Sequence, residues 1–253
     1  MSIPGVQGPR RDPRSVIGQV EAAEWLPDTD LERFHGWGVI GLPFASGHVL
    51  GLRRWPASSI GPAYTSVWHR TPNGRWTFWS TEPALVSCNR YAGEVITDTA
   101  QSPIVVSWPG DWTLSVEVET VDLSWEVELA EPPMARALNA VADVLPDRLR
   151  RSGGFLRVLG PVAGWLLGAG SLRLTGSMPN RQSFSMTPHR VWIATGSRAT
   201  LAGHDLGPPA PLPEQARVGD FRIPQRGLLA VGSIYFSQLD PARHSTRLAL
   251  TGG

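Results

Sequence analysis

"AYTSVWHRTPNGRWTFWSTEP" runs from Ala63 to Pro83. Two runs of aromatic and β-branched residues flank Pro72-Asn73-Gly74. Such runs favour strands, and Pro-Asn-Gly suits a type I turn closed by a left-handed glycine. The spacing predicts a three-residue hairpin loop with Thr71 opposite Arg75. A hairpin with one wet face should alternate apolar and polar residues. This one does not sort. One face carries Tyr64, Ser66, Trp68, Arg70, Trp76, Phe78, Ser80 and Glu82. The other carries Thr65, Val67, His69, Arg75, Thr77, Trp79 and Thr81. Burial should favour the first, more aromatic face. That choice draws Arg70, Glu82 and the Tyr64 hydroxyl towards an apolar space, where an unpaired charge is costly. A cavity that admits water or ligand resolves the conflict. Stacking of Arg70 on Trp76 at a solvent edge resolves it as well.

A second hairpin sorts cleanly. "MPNRQ", Met178 to Gln182, repeats the turn with Arg181 where glycine would sit. Leu172, Leu174, Gly176, Met178, Gln182, Phe184 and Met186 share one face, and Arg173, Thr175, Ser177, Arg181, Ser183 and Ser185 the other. Short strand-like runs also fill Phe34 to Leu129, among them "HVLGLRRW" and "SPIVVSW". From Leu114 to Leu129 strict alternation changes phase near Thr120, which suggests a β-bulge bending one long strand, a tight hairpin being the alternative. The carboxylates there lie opposite the apolar face and read as solvated.

Helical periodicity occupies 133–169. Met134, Leu138, Val141 and Leu145 fall on one face, and a second helix is expected to break at Pro161. Residues 1–30, with four prolines and weak periodicity, read as a poorly ordered arm. The proline-rich 203–227 segment reads as an ordered flap over a single domain spanning 31–253. The expected fold is mostly β: an antiparallel curved sheet or a calycin/lipocalin-like barrel, in one piece or two β halves, around a central helical insertion.

Composition removes several chemistries. The 253 residues carry a net charge of +1, and all 23 basic residues are arginine. Without lysine there is no Schiff-base nucleophile, no amine-based decarboxylation and no P-loop. Near-neutral charge without a basic run argues against nucleic acid as a partner. Cys88 is the only cysteine, so no internal disulfide and no Cys-rich zinc site can form. The six histidines show no HxH or HExxH spacing, so no metal is expected. No cofactor motif is present; "GWGVIG", Gly36 to Gly41, reads as a bent strand. The N-terminal residues hold no apolar signal core, and "VLGPVAGWLLGAG" is too short to span a bilayer, so a cytoplasmic location without a transmembrane segment is expected.

The functional expectation is binding of an apolar or aromatic small molecule in a Trp-lined barrel cavity by Trp68, Arg70, Trp76 and Phe78. One alternative is a cofactor-independent cyclase, isomerase or hydratase acting on a lipid, terpenoid or polyketide. There Glu82 is the acid or base and Tyr64 the donor. The other is a structural or interaction protein without a pocket.

Overall fold

The computed structural model describes residues 12–245. In chain order its strands are β1 (Glu32–Val39), β2 (Leu42–Pro43), β3 (Val49–Ser58), β4 (Tyr64–Arg70) and β5 (Trp76–Ser80), then β6 (Ile96–Gln101), β7 (Val105–Gly110), β8 (Thr113–Val118) and β9 (Leu123–Ala130). There follow β10 (Thr175–Ser177), β11 (Ser183–Leu201), β12 (His204–Asp205), β13 (Arg217–Val218), β14 (Phe221–Arg222) and β15 (Leu228–Phe236). The α-helices are α1 (Pro13–Ala23), α2 (Asn89–Ala92), α3 (Pro133–Val144), α4 (Asp147–Arg150) and α5 (Gly153–Leu166).

One large sheet runs in the order β6-β5-β4-β3-β1-β15-β11-β9-β8-β7. All its pairs are antiparallel except β5 with β6, so the sheet is mixed. It is curved and not closed: β6 and β7 are free ends of the ladder. Strand β11 joins the two wings. Its first half pairs with β15 and its second half with β9, with register shifts at Pro188/Arg190 and Ala194/Gly196. Such bulges bend a strand, and Pro188 is tolerated at one because no ladder N–H is needed there.

In the central strands β1, β3, β4 and β5 both faces of the sheet are largely buried, whereas β7, β8 and β9 keep one exposed face. One face carries Trp37, Val39, Leu50, Leu52, Val67 and Trp79 in a single cluster with Leu114, Trp125 and Val127 from the far wing. Helix α1 closes this cluster with Val16, Ile17 and Val20. Part of the stretch read as a poorly ordered arm is therefore a helix. Asp12 caps it by accepting from Ser15 N at 2.8 Å, and Pro13 starts its first turn. Residues 1–11 lie outside the described ones. The opposite face gathers Phe34, Tyr64, Trp68, Trp76, Phe78, Tyr91, Phe184 and Phe221. This explains the unsorted first hairpin: β4 and β5 have no wet face to sort towards.

Both turns form as the spacing predicts. Arg70 pairs with Trp76, Ser177 with Ser183, and Arg181 takes the left-handed conformation at φ 73°. The Leu114–Leu129 stretch is a tight hairpin, β8 and β9, turning through Asp122 at φ 49°. Helix α5 runs through Pro161 without ending there, because a proline removes one ladder bond and the turns on either side remain. Side-chain amides stitch the 203–227 flap down. Gln215 bonds both the N and the O of Ser171, and Gln225 bonds both the N and the O of Leu212. The flap's own Leu212, Val218, Phe221 and Ile223 are buried.

Candidate functional site

Arg53 sits on β3 directly opposite Ser66 on β4, on the face shared with Trp68. Only 5% of it is exposed. Its guanidinium donates to Val39 O at 2.7 Å, Leu52 O at 2.8 Å and Ile40 O at 2.8 Å. It lies 4.5 Å from the Trp68 ring centre and 5.5 Å from that of Phe221. No carboxylate pairs with it among the described residues. Two of the five guanidinium N–H groups are left over. Burial pulls its pKa down to about 10, so the group is cationic at neutral pH. A buried cation without a counter-ion is costly, and an arriving anion would relieve that cost.

Donors without acceptors surround this cation. Tyr64 is fully buried, and among the described residues neither its hydroxyl nor the Trp68 indole N–H has an oxygen or nitrogen partner. Both crowd the Cys88 sulfur, a poor acceptor that lies 3.3 Å from Ser66 Oγ. Burial, and then the thiol, hold the Tyr64 hydroxyl well above the usual phenol range. Burial also pushes the Cys88 thiol up, opposed by Ser66, Trp68 and Arg53. At neutral pH phenol and thiol are both protonated, so both are donors.

A cavity of about 80 Å³ opens beside this group, walled by Phe34, Trp55, Tyr91, Phe221 and Ile234 with Arg53, Trp68 and Cys88 at its polar end. Its space comes partly from side chains that are absent. A Cβ on Gly38 would meet Leu52 O at 2.1 Å, and one on Gly36 would meet Arg54 O at the same distance. These glycines let β1 press against β3 next to the register shift at His35/Trp37. Met186, Pro188, Phe221 and Ala230 also wall a second cavity of about 130 Å³, which continues beneath α3 and α5. Neither lining contains an aspartate or glutamate.

The residues singled out in the sequence fall at different depths. Trp68 lines the cavity. Phe78 stacks on Trp68 at 4.2 Å, and Trp76 meets both edge-on, so these two form the wall behind it. Tyr64 is buried beside the polar end. Arg70 turns to the hairpin tip, where it donates to Thr71 O, and Glu82 is half-buried just past β5. Neither lines the cavity. Sequence reasoning missed Arg53. Its signal was Arg53-Arg54 inside an apolar run, two neighbours that a strand must send to opposite faces. Arg54 finds Glu21 at 2.9 Å; Arg53 finds no acid among the described residues.

One buried carboxylate is fully used by the fold. Glu32 accepts from Arg90 at 2.5 Å, Tyr91 Oη at 2.7 Å, Gln182 Nε2 at 3.0 Å and Leu239 N at 3.2 Å. Among the described residues no group of three or more His, Cys, Asp or Glu could hold a metal ion.

Fold and site define a mostly β protein whose curved mixed sheet carries an aromatic cavity with a cationic end. No protein-family model and no curated protein matches the chain. A solved structure described as acetoacetate decarboxylase from Legionella pneumophila subsp. pneumophila str. Philadelphia 1 is similar at 11% identity, covering 84% of this chain and 88% of that chain, with a TM-score of 0.39.

Proposed function

We propose that the protein binds a small apolar molecule carrying an anionic oxygen group, a carboxylate being the simplest. The head sits at Arg53, with the Tyr64 hydroxyl and Trp68 N–H as further donors. The body lies among Phe34, Tyr91, Phe221 and Ile234. The observation that carries this reading is the buried Arg53 guanidinium, without an acid partner among the described residues and placed at one end of an otherwise apolar cavity. Charge-assisted hydrogen bonds to a desolvated guanidinium are strong and directional, so an anion gains there what water cannot supply.

A fluorescence titration tests it. Decanoate and phenylpropionate should quench tryptophan emission saturably, and the matching alcohols should bind at least tenfold more weakly, the usual effect of losing one charged hydrogen bond. Glu82→Gln should leave both curves unchanged, because Glu82 lies off the cavity lining. Equal affinity for acid and alcohol would remove the anionic head from this reading. A carboxylate affinity that changes with Glu82→Gln would return that residue to the site.

A further inference from the structure

Helices α3 and α5 bury the wrong sides for ordinary core helices. In α5 the buried positions are Leu156, Gly160 and Gly164. A Cβ on Gly164 would meet Gly170 O at 2.2 Å, and one on Gly160 would meet Leu172 O at 2.8 Å, so the returning chain lies directly on the glycine side. The branched and aromatic side points outward: Val158 is 66% exposed, Val162 46% and Trp165 80%. Positions separated by four and then three residues make one helical stripe. Helix α3 does the same. It buries Ala135 and Asn139, whose amide bonds Glu131 Oε1 and Val191 O, and it exposes Met134, Val141 at 50% and Val144 at 79%. Of the face Met134, Leu138, Val141 and Leu145, Leu138 packs against a buried cluster while Met134 and Val141 are exposed, and Asn139 reaches the backbone of β11.

The charge of this insertion differs from that of the chain. Between Pro132 and Gly168 five arginines face two aspartates, in a chain of net charge +1. Both aspartates are already paired, Asp143 with Arg190 and Asp147 with Arg150. Arg148, Arg151 and Arg157 are exposed and make no ion pair among the described residues. Exposed tryptophan and aliphatic side chains in an arginine-rich insertion match a bilayer interface rich in anionic lipid. A second copy of the chain fits less well, since a two-fold contact would set this excess of arginine against itself.

We infer that the 133–166 insertion is a membrane-docking surface that lays Val158, Val162 and Trp165 into the headgroup region of an anionic bilayer. No helix among the described residues is long and apolar enough to cross a membrane, so the contact is peripheral. The inference does not depend on the ligand proposed above. The second cavity, which Val141 and Leu159 help to line, opens beneath the same surface.

Co-sedimentation with vesicles tests it. One set is pure phosphatidylcholine and the other contains about 30% phosphatidylserine, a fraction that gives a strongly negative surface. The protein should pellet with the anionic vesicles and stay in solution with the neutral ones, and added salt should weaken the association. Trp165→Asp and the Arg148/Arg151/Arg157→Gln triple variant should each weaken it by tenfold or more. Circular dichroism should show both variants folded, because every changed side chain is exposed. No pelleting of the wild type, or equal pelleting of Trp165→Asp, would overturn the inference. So would a concentration-dependent dimer that Trp165→Asp abolishes without any vesicle binding, since a second copy would then cover the face.

Discussion

Arg53 and Arg54 are neighbours with opposite fates. Strand geometry sends them to opposite faces, and each face is buried. Arg54 reaches Glu21 on α1; Arg53 has carbonyls and aromatic rings. Histidines show the same economy of partners. His35 donates to or accepts from Ser233 Oγ at 2.9 Å, and His69 meets His48 at 2.8 Å beneath the stacked Trp79 ring. Burial lowers His35 and His69 to about 4 and His189 to about 3, with neighbouring cations adding to the shift at His189. The native state therefore rejects protons that the unfolded chain takes up near pH 6.5. Stability should be fully present above that pH and fall as pH drops from about 6.5 to 4, by roughly 1.4 kcal/mol per pH unit for each imidazole at mid-window. Urea midpoints at pH 7 and pH 5 check this, and identical midpoints would show that these rings are hydrated. None of it was legible from spacing: the histidines follow no metal pattern, and their burial depends on which faces the sheet covers.

At the scale of elements, glycine decides where α5 lies. Gly164→Ala should raise intrinsic helix propensity yet destabilise the protein by about 2–4 kcal/mol, because the new Cβ meets backbone that cannot move aside. Gly154→Ala meets only Ser152 Oγ at 3.9 Å and should be neutral or stabilising by up to ~1 kcal/mol. Thermal unfolding of the two variants gives the contrast, and equal effects would mean that α5 does not rest on the Gly170–Leu172 chain. Turns were readable in the sequence because Pro-Asn-Gly and Pro-Asn-Arg act locally. Which side of a helix is buried was not, because periodicity marks the apolar stripe and cannot say what covers it. The reading of Pro161 as a break failed for a related reason: surrounding turns carried the helix past it.

Across the whole molecule, alternation announced a mostly β protein, and helical periodicity announced its central insertion. Alternation could not tell a curved sheet from a closed barrel, since that depends on whether the last strands meet, and here β6 and β7 do not. Nor could it locate the cavity, which is assembled from β1, β3, β15, the segment around Cys88 and the flap, all distant in sequence. Trp68 lines the cavity from the hairpin that the sequence singles out, and Arg53 reaches it from the neighbouring strand. The proposed function stands on the buried Arg53 guanidinium, which has no acid partner among the described residues. Calorimetric titration of decanoate into wild-type protein and Arg53→Met tests that most directly. The account predicts saturable binding to the wild type and a loss of about tenfold to a hundredfold in the variant, the worth of charged hydrogen bonds, with decanol binding both proteins alike. Equal decanoate affinity in the two proteins would contradict it.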